Sequence, residues 1–183
     1  MKNILFYAAI LITFTCSAQK IKVQNLKLVS YDITSSKNLE INSYSTIDQY
    51  GRLNIFVNGN HGPAYYAAQL SDDEIEAVNK LTAKDLQSFV KTKKLSAGMH
   101  YAGDRDFISF NKSKNQNKMC FIEPFMTEEF NDVINMLHDK IYKQDDSTKI
   151  KKFKIDFINI KAELYMQGKI DNFLPKKELP PSR

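Results

Sequence analysis

Residues 53–81 read LNIFVNGNHGPAYYAAQLSDDEIEAVNKL, and two changes of pattern inside this stretch decide the fold. Leu53–Val57 and Ala64–Leu70 flank Asn58-Gly59-Asn60-His61-Gly62-Pro63, where glycine and asparagine reach positive φ at little steric cost, so the stretch predicts a β-hairpin. At Ser71 the period changes. Ser71-Asp72-Asp73-Glu74 matches a capping box, and Ile75, Val78 and Leu81 follow at helical spacing, which predicts a helix directly after the hairpin.

The same order recurs downstream. Phe107, Ser109 and Asn111 face opposite to Ile108 and Phe110, and Met119–Ile122 forms an apolar run after the polar stretch Lys112–Lys118, giving a second hairpin. Thr127 then N-caps a helix in which Phe130, Val133, Ile134, Leu137 and Ile141 share one face. Between the two units, Thr82-Ala83-Lys84-Asp85 opens a further short helix or a bent continuation, with Leu86, Phe89 and Val90 as its stripe, before a loop that runs to Gly103. Upstream, Ile21, Val23, Leu26 and Leu28 alternate around a bulge at Asn25, and Leu39, Ile41 and the residues through Tyr44 resume in extended form up to the turn Tyr50-Gly51-Arg52. The expected architecture is α+β: one antiparallel sheet of hairpins with two or three helices packed on one face, because alternating strands offer one apolar face and each helix one apolar stripe. Only the order hairpin, helix, hairpin, helix repeats; residue matches between the two units are few.

Beyond a polar linker at 143–149, two periods compete. Ile150, Phe153, Phe157, Ile160 and Leu164 fit a helix, while Phe153, Ile155 and Phe157 alternate and, after a shift at Ile158, so do Ile160, Ala162, Leu164 and Met166. A helix would expose Ile155, Ile158 and Tyr165, so a C-terminal strand with a bulge is favoured, ending at Gly168. Residues 174–183, rich in proline and lysine, read as a disordered or extended tail.

The first eighteen residues read as an address. Lys2 is the positive n-region, Ile4–Phe14 an apolar segment too short to span a bilayer, and Cys16-Ser17-Ala18 a small-residue cleavage site, so a signal peptide over 1–18 is expected to leave a chain beginning at Gln19. Phe14 stands where a lipobox needs a small residue, which argues against a lipoprotein. The expectation is thus export to the periplasm or beyond, with no transmembrane segment in the mature chain. About 165 residues then remain, enough for one domain over 19–173 that needs no covalent staple. Cys120 is left as a single thiol between Met119 and Phe121, and burial is expected of it.

The formal charge of +5 is uneven: basic residues outnumber acidic ones by 16 to 15 up to Tyr142 and by 10 to 6 from Lys143 onward. Lys151, Lys152 and Lys154 alternate with Phe153 and Ile155, the spacing of a half-buried segment with a solvated lysine face, and this argues against nucleic acid as a partner.

Chemistry-bearing residues are sparse. His100, with Asp104 and Asp106 in the same glycine-containing loop, could hold a divalent metal or pair a base with its orienter, although Arg105 offers either acid a counter-ion. His61 lies in the hairpin turn and His138 on the polar side of the Thr127 helix. No Gly-x-Ser-x-Gly elbow and no phosphate-cradling loop occurs, so no cofactor is expected. Tyr65, Tyr66 and Tyr101, with His61, form the candidate partner surface, since tyrosine joins contact area to a polar tip. Asp146-Ser147-Thr148 resembles a short bacterial O-glycosylation acceptor, with Ser147 as its hydroxyl. These features point to a small exported binding protein that recognises another envelope or secreted protein, of the inhibitor or immunity kind. Two other readings stand beside it: a metal- or ligand-binding protein or hydrolase using the His100 loop, and a polyanion binder using the C-terminal lysines.

Overall fold

The computed structural model describes residues 19–34 and 38–175. Four strands come first, β1 (Gln24–Ile33), β2 (Leu39–Ile47), β3 (Arg52–Gly59) and β4 (Gly62–Gln69). Helix α1 (Asp72–Ala83), the hairpin β5 (Arg105–Lys112) and β6 (Asn115–Phe121), and helices α2 (Glu128–Tyr142) and α3 (Phe157–Ile170) follow. The strands form one sheet in the order β4-β3-β2-β1-β5-β6, every pairing antiparallel. The two hairpins therefore lie at opposite edges, with β1 and β2 between them, and the fold is α+β as the patterning predicts.

Local chemistry sets the ends of these elements. Glu74 N–H donates to Ser71 Oγ at 3.3 Å and Ser71 N–H to Glu74 Oε2 at 2.7 Å, closing both arms of the capping box at the start of α1. Thr127 occupies the N-cap of α2, though its hydroxyl makes no capping bond. Thr82 starts nothing: its hydroxyl donates to the Val78 carbonyl at 2.9 Å inside α1, and a short 3-10 turn, Leu86–Phe89, begins only after Asp85. The β3–β4 turn is tighter than the sequence suggests, with Gly59 paired to Gly62 and only Gly62 at positive φ (+94°). Asn25 forms the expected bulge, at φ +54° where the β1–β5 register shifts.

A second bulge has larger consequences. Ser43 pairs with Ser30 but Ile41 pairs with Tyr31, so Asn42 is an extra residue in β2. One added residue inverts the side-chain phase, and Leu39 and Ile41 join the opposite face of the sheet from Ser45 and Ile47. Both faces are apolar as a result. The first, built on Leu26, Leu28, Leu53, Ile55, Ile108 and Phe110, is covered by α1 and α2. The second, built on Val29, Tyr31, Ile41, Phe56, Phe107 and Cys120, is covered by Ile160 and Leu164 of α3 and by Phe153 and Ile155.

Two expectations are corrected here. Helices lie on both faces, not one, because the Asn42 bulge and the alternation of β1 and β5 leave a second apolar face that must be covered. The C-terminal strand is also overturned. Residues 151–156 form no strand, with Phe153 and Ile155 packed against the second core, and the chain becomes helical at Phe157. Asp156 caps that helix, accepting from Asn159 N–H at 3.1 Å, so the alternating pattern is genuine only as far as Phe157. The signal segment 1–18 and residues 176–183 of the tail lie outside the described residues. Leu174 packs on the core, and the Arg105 guanidinium donates to the Pro175 carbonyl.

Candidate functional site

On the first face, the apolar phase of β5 runs Phe110, Ile108 and then Asp106, so a carboxylate is carried to a core-facing position at the strand end. Ser30 of β1 is its register partner, and Ser30 Oγ donates to Asp106 Oδ1 at 2.7 Å. From α2, one turn beyond Ile134, His138 brings Nε2 to 3.2 Å from the same oxygen. Tyr142, a further turn on, donates its hydroxyl to Ser43 Oγ at 2.9 Å. These groups line a pocket of about 270 Å³ closed by Tyr101, Asp104 and Glu123. A Cβ at Gly103 would stand 2.7 Å from the Tyr101 hydroxyl, so a larger residue there would displace the tip of that ring.

The electrostatics are those of an acid-rich pocket with one imidazole. Burial by itself would lower the His138 pKa, but the hydrogen bond and charge of Asp106, with Asp104 and Glu123 behind it, outweigh burial and raise it. Tyr101 is pushed well up, first by burial and then by the charges of Asp106 and Asp104. The pocket can therefore hold a proton and favours a hydrogen-bond donor or a cation. The Ser30 hydroxyl donates to the carboxylate, and among the described residues no serine, threonine or cysteine side chain is shown hydrogen-bonded to His138.

The residues singled out in the sequence are distributed over several places. Asp104, Asp106 and Tyr101 meet at this pocket, while His100 is exposed in the preceding loop and does not line it. Among the described residues no three His, Cys, Asp or Glu side chains form a metal-binding group. His138 is the group that sequence reading put on the polar side of its helix; the available signal was an aspartate in phase with Ile108 and Phe110, which demands a buried partner. Cys120 is fully buried, and burial pushes its thiol up to about 12.

His61, Tyr65 and Tyr66 do come together, around a cavity of about 570 Å³ at the β3–β4 tip that Asp146, Lys149 and Ile150 complete. Ile150 N–H donates to the Tyr65 carbonyl at 2.9 Å, so this strap covers part of edge strand β4. The two tyrosines face opposite sides of the sheet: Tyr65 packs edge-on to Phe153, ring centres 5.3 Å apart, and Tyr66 packs against the first core. Tyr101 is not part of this cluster. Ser147 is exposed in the strap, its hydroxyl donating to Asp145.

A third feature was outside the partner surface read from sequence. The outer side of α3 carries Ile158, Tyr165, Met166 and Ile170 at 82%, 46%, 58% and 75% exposure, on one stripe at i, i+7, i+8 and i+12. Lys169 lies along the same side, and exposed Lys151, Lys152 and Lys154 precede the helix. No known family model matches this chain, and no characterised protein is similar to it in sequence.

Proposed function

We propose that this chain is an exported binding protein that recognises another envelope or secreted protein, of the inhibitor or immunity kind, through the outer face of α3. The observation that carries the reading is the stripe of Ile158, Tyr165, Met166 and Ile170, four large side chains between 46% and 82% exposed along one side of a helix. Fully burying a side chain of this size is worth about 1.5–3 kcal/mol, and the exposure left on these four equals that of two to three whole side chains, so covering them is worth about 4–8 kcal/mol, comparable with the lower part of an association cost of about 4–15 kcal/mol. Tyrosine and methionine in the stripe are residue types enriched at interfaces. The surrounding lysines select a partner whose apolar patch has an acidic rim. Export is supported by the charged, apolar and small-residue sequence of residues 1–18, and among the described residues no helix is long and apolar enough to cross a membrane.

The test uses protein isolated from the native cell envelope, whose mass should place Gln19 at its N-terminus. A partner retained by it is identified, purified and titrated against the wild type and against Ile158→Asp and Met166→Asp. One stoichiometric protein partner, lost with both variants while thermal stability is unchanged, is the expected result. Binding to phosphatidylglycerol vesicles with no protein partner, or a partner indifferent to both substitutions, would overturn the reading.

A further inference from the structure

The second face of the sheet is divided into two rows. Tyr65, Phe56, Tyr44, Val29, Phe107 and Cys120 stand side by side across all six strands and meet α3 and the segment before it. Two residues along each strand the chemistry changes. Asn54, Thr46, Lys27, Ser109 and Lys118 are register partners across β3, β2, β1, β5 and β6, a polar row through the middle of the sheet that α3 meets through the Glu163 carboxylate, 3.1 Å from Lys27 Nζ and 3.8 Å from Lys118 Nζ. A groove of about 640 Å³ lies over this row, walled by Tyr44 on one side and Asn111 on another. That volume is in the range of small-molecule sites.

Ser109 is the floor of the groove and supplies the decisive observation. It is 1% exposed, and its hydroxyl has no hydrogen-bond partner. A buried hydroxyl is normally satisfied, so an unsatisfied one lining an open groove marks a place where a ligand's polar group completes the bond. Of the formal charges in the groove, Lys27 is paired and Asp48 is held by backbone amides while keeping its charge. Lys27 Nζ lies 3.1 Å from Glu163 Oε2, and Asp48 accepts from the Tyr50 and Arg52 amides at 2.8 and 3.0 Å. Away from Asp48 the groove offers neutral groups: the Thr46 and Ser109 hydroxyls and the Asn54 and Asn111 amides, beside the half-buried ring of Tyr44. An extended peptide would seek the unpaired backbone of a sheet edge, which this central groove does not present.

We infer that this groove is a binding site for a neutral, hydroxyl-rich ligand, a saccharide, with Ser109 at its centre. The site is separate from the α3 stripe and stands or falls independently of it. The experiment titrates residues 19–183 with neutral tetrasaccharides of glucose, of mannose and of N-acetylglucosamine at millimolar concentration, followed by backbone amide chemical shifts. At least one should bind, with shifts confined to the five strands of the polar row. Ser109→Ala should leave thermal stability unchanged or higher, since it removes an unsatisfied buried group, and weaken binding by about five- to tenfold. Asn54→Ala, at an exposed position that tolerates truncation, should weaken it by a similar factor. Failure of all three saccharides to bind, binding confined to sulfated analogues and lost in salt, or affinity unchanged in both variants would each overturn the inference.

Discussion

Truncating Leu164 to alanine should destabilise the protein severely, while the same truncation two residues away should not. Leu164 is 2% exposed and packs with Ile160 on the second face of the sheet, so Leu164→Ala removes buried methyl groups and leaves a cavity, at a cost of about 2–5 kcal/mol. That is a large part of the roughly 5–15 kcal/mol that holds a domain of this size folded. Met166 is 58% exposed and Ile158 82% exposed, so alanine at either should change stability by no more than about 0.5 kcal/mol. Urea unfolding of residues 19–183 separates the cases: for a slope near 2 kcal/mol/M, Leu164→Ala lowers the midpoint by about 1–2.5 M and the other two barely move it. The contrast is diagnostic because the strand reading places Leu164 and Met166 on the same inward face. A Met166→Ala cost equal to that of Leu164→Ala would refute the helical phase of this segment and with it the apolar stripe.

Two further outcomes follow from titratable groups. The fold raises the His138 pKa, so protonation of His138 is coupled to folding: its contribution is fully present below the unfolded histidine value of about 6.5 and is lost as pH rises through the folded value. His138→Gln should therefore flatten the fall in melting temperature between mildly acidic and mildly alkaline buffer, and an unchanged slope would show that the imidazole is not bound to Asp106 in solution. Cys120, buried and with its thiol pushed up to about 12, should resist a disulfide exchange reagent at neutral pH in the folded protein and react stoichiometrically in urea. Rapid reaction without denaturant would overturn its placement at the centre of the second core.

Much of this fold is legible where a local rule has a single reading. Ser71 and Glu74 announce α1 because the capping box satisfies donors that nothing else nearby could satisfy, and the five apolar positions of α2 leave no alternative phase. The bulge at Asn25 shows as a slip between Val23 and Leu26. Asn42 gives no such sign: Ile41, Ser43 and Ser45 alternate smoothly with polar neighbours, and only pairing with β1 reveals that the phase inverts there. Missing that inversion conceals the second apolar face, and with it the need for a helix to cover it. The pocket around Asp106 was half legible for a related reason. The loop residues Tyr101 and Asp104 are close in sequence, but Ser30 and His138 reach it only through sheet register and helix docking.

The segment that resisted sequence reading is also the one on which the proposed partner surface rests, and the two have one cause. An amphipathic helix declares itself by keeping one side polar; α3 places Ile160 and Leu164 inward and Ile158, Tyr165, Met166 and Ile170 outward, so its periodicity selects no phase. A helix apolar on both sides is stable in water when both sides are covered. The sheet covers one, and Asp156 fixes where the helix starts, so the outer side is not an accident of a frayed end. Exchanging those four residues for lysine or glutamate would give a helix that is easier to predict and equally able to cover the second core. That this chain carries isoleucine, tyrosine and methionine there instead is the physical reason to expect a surface that closes over them.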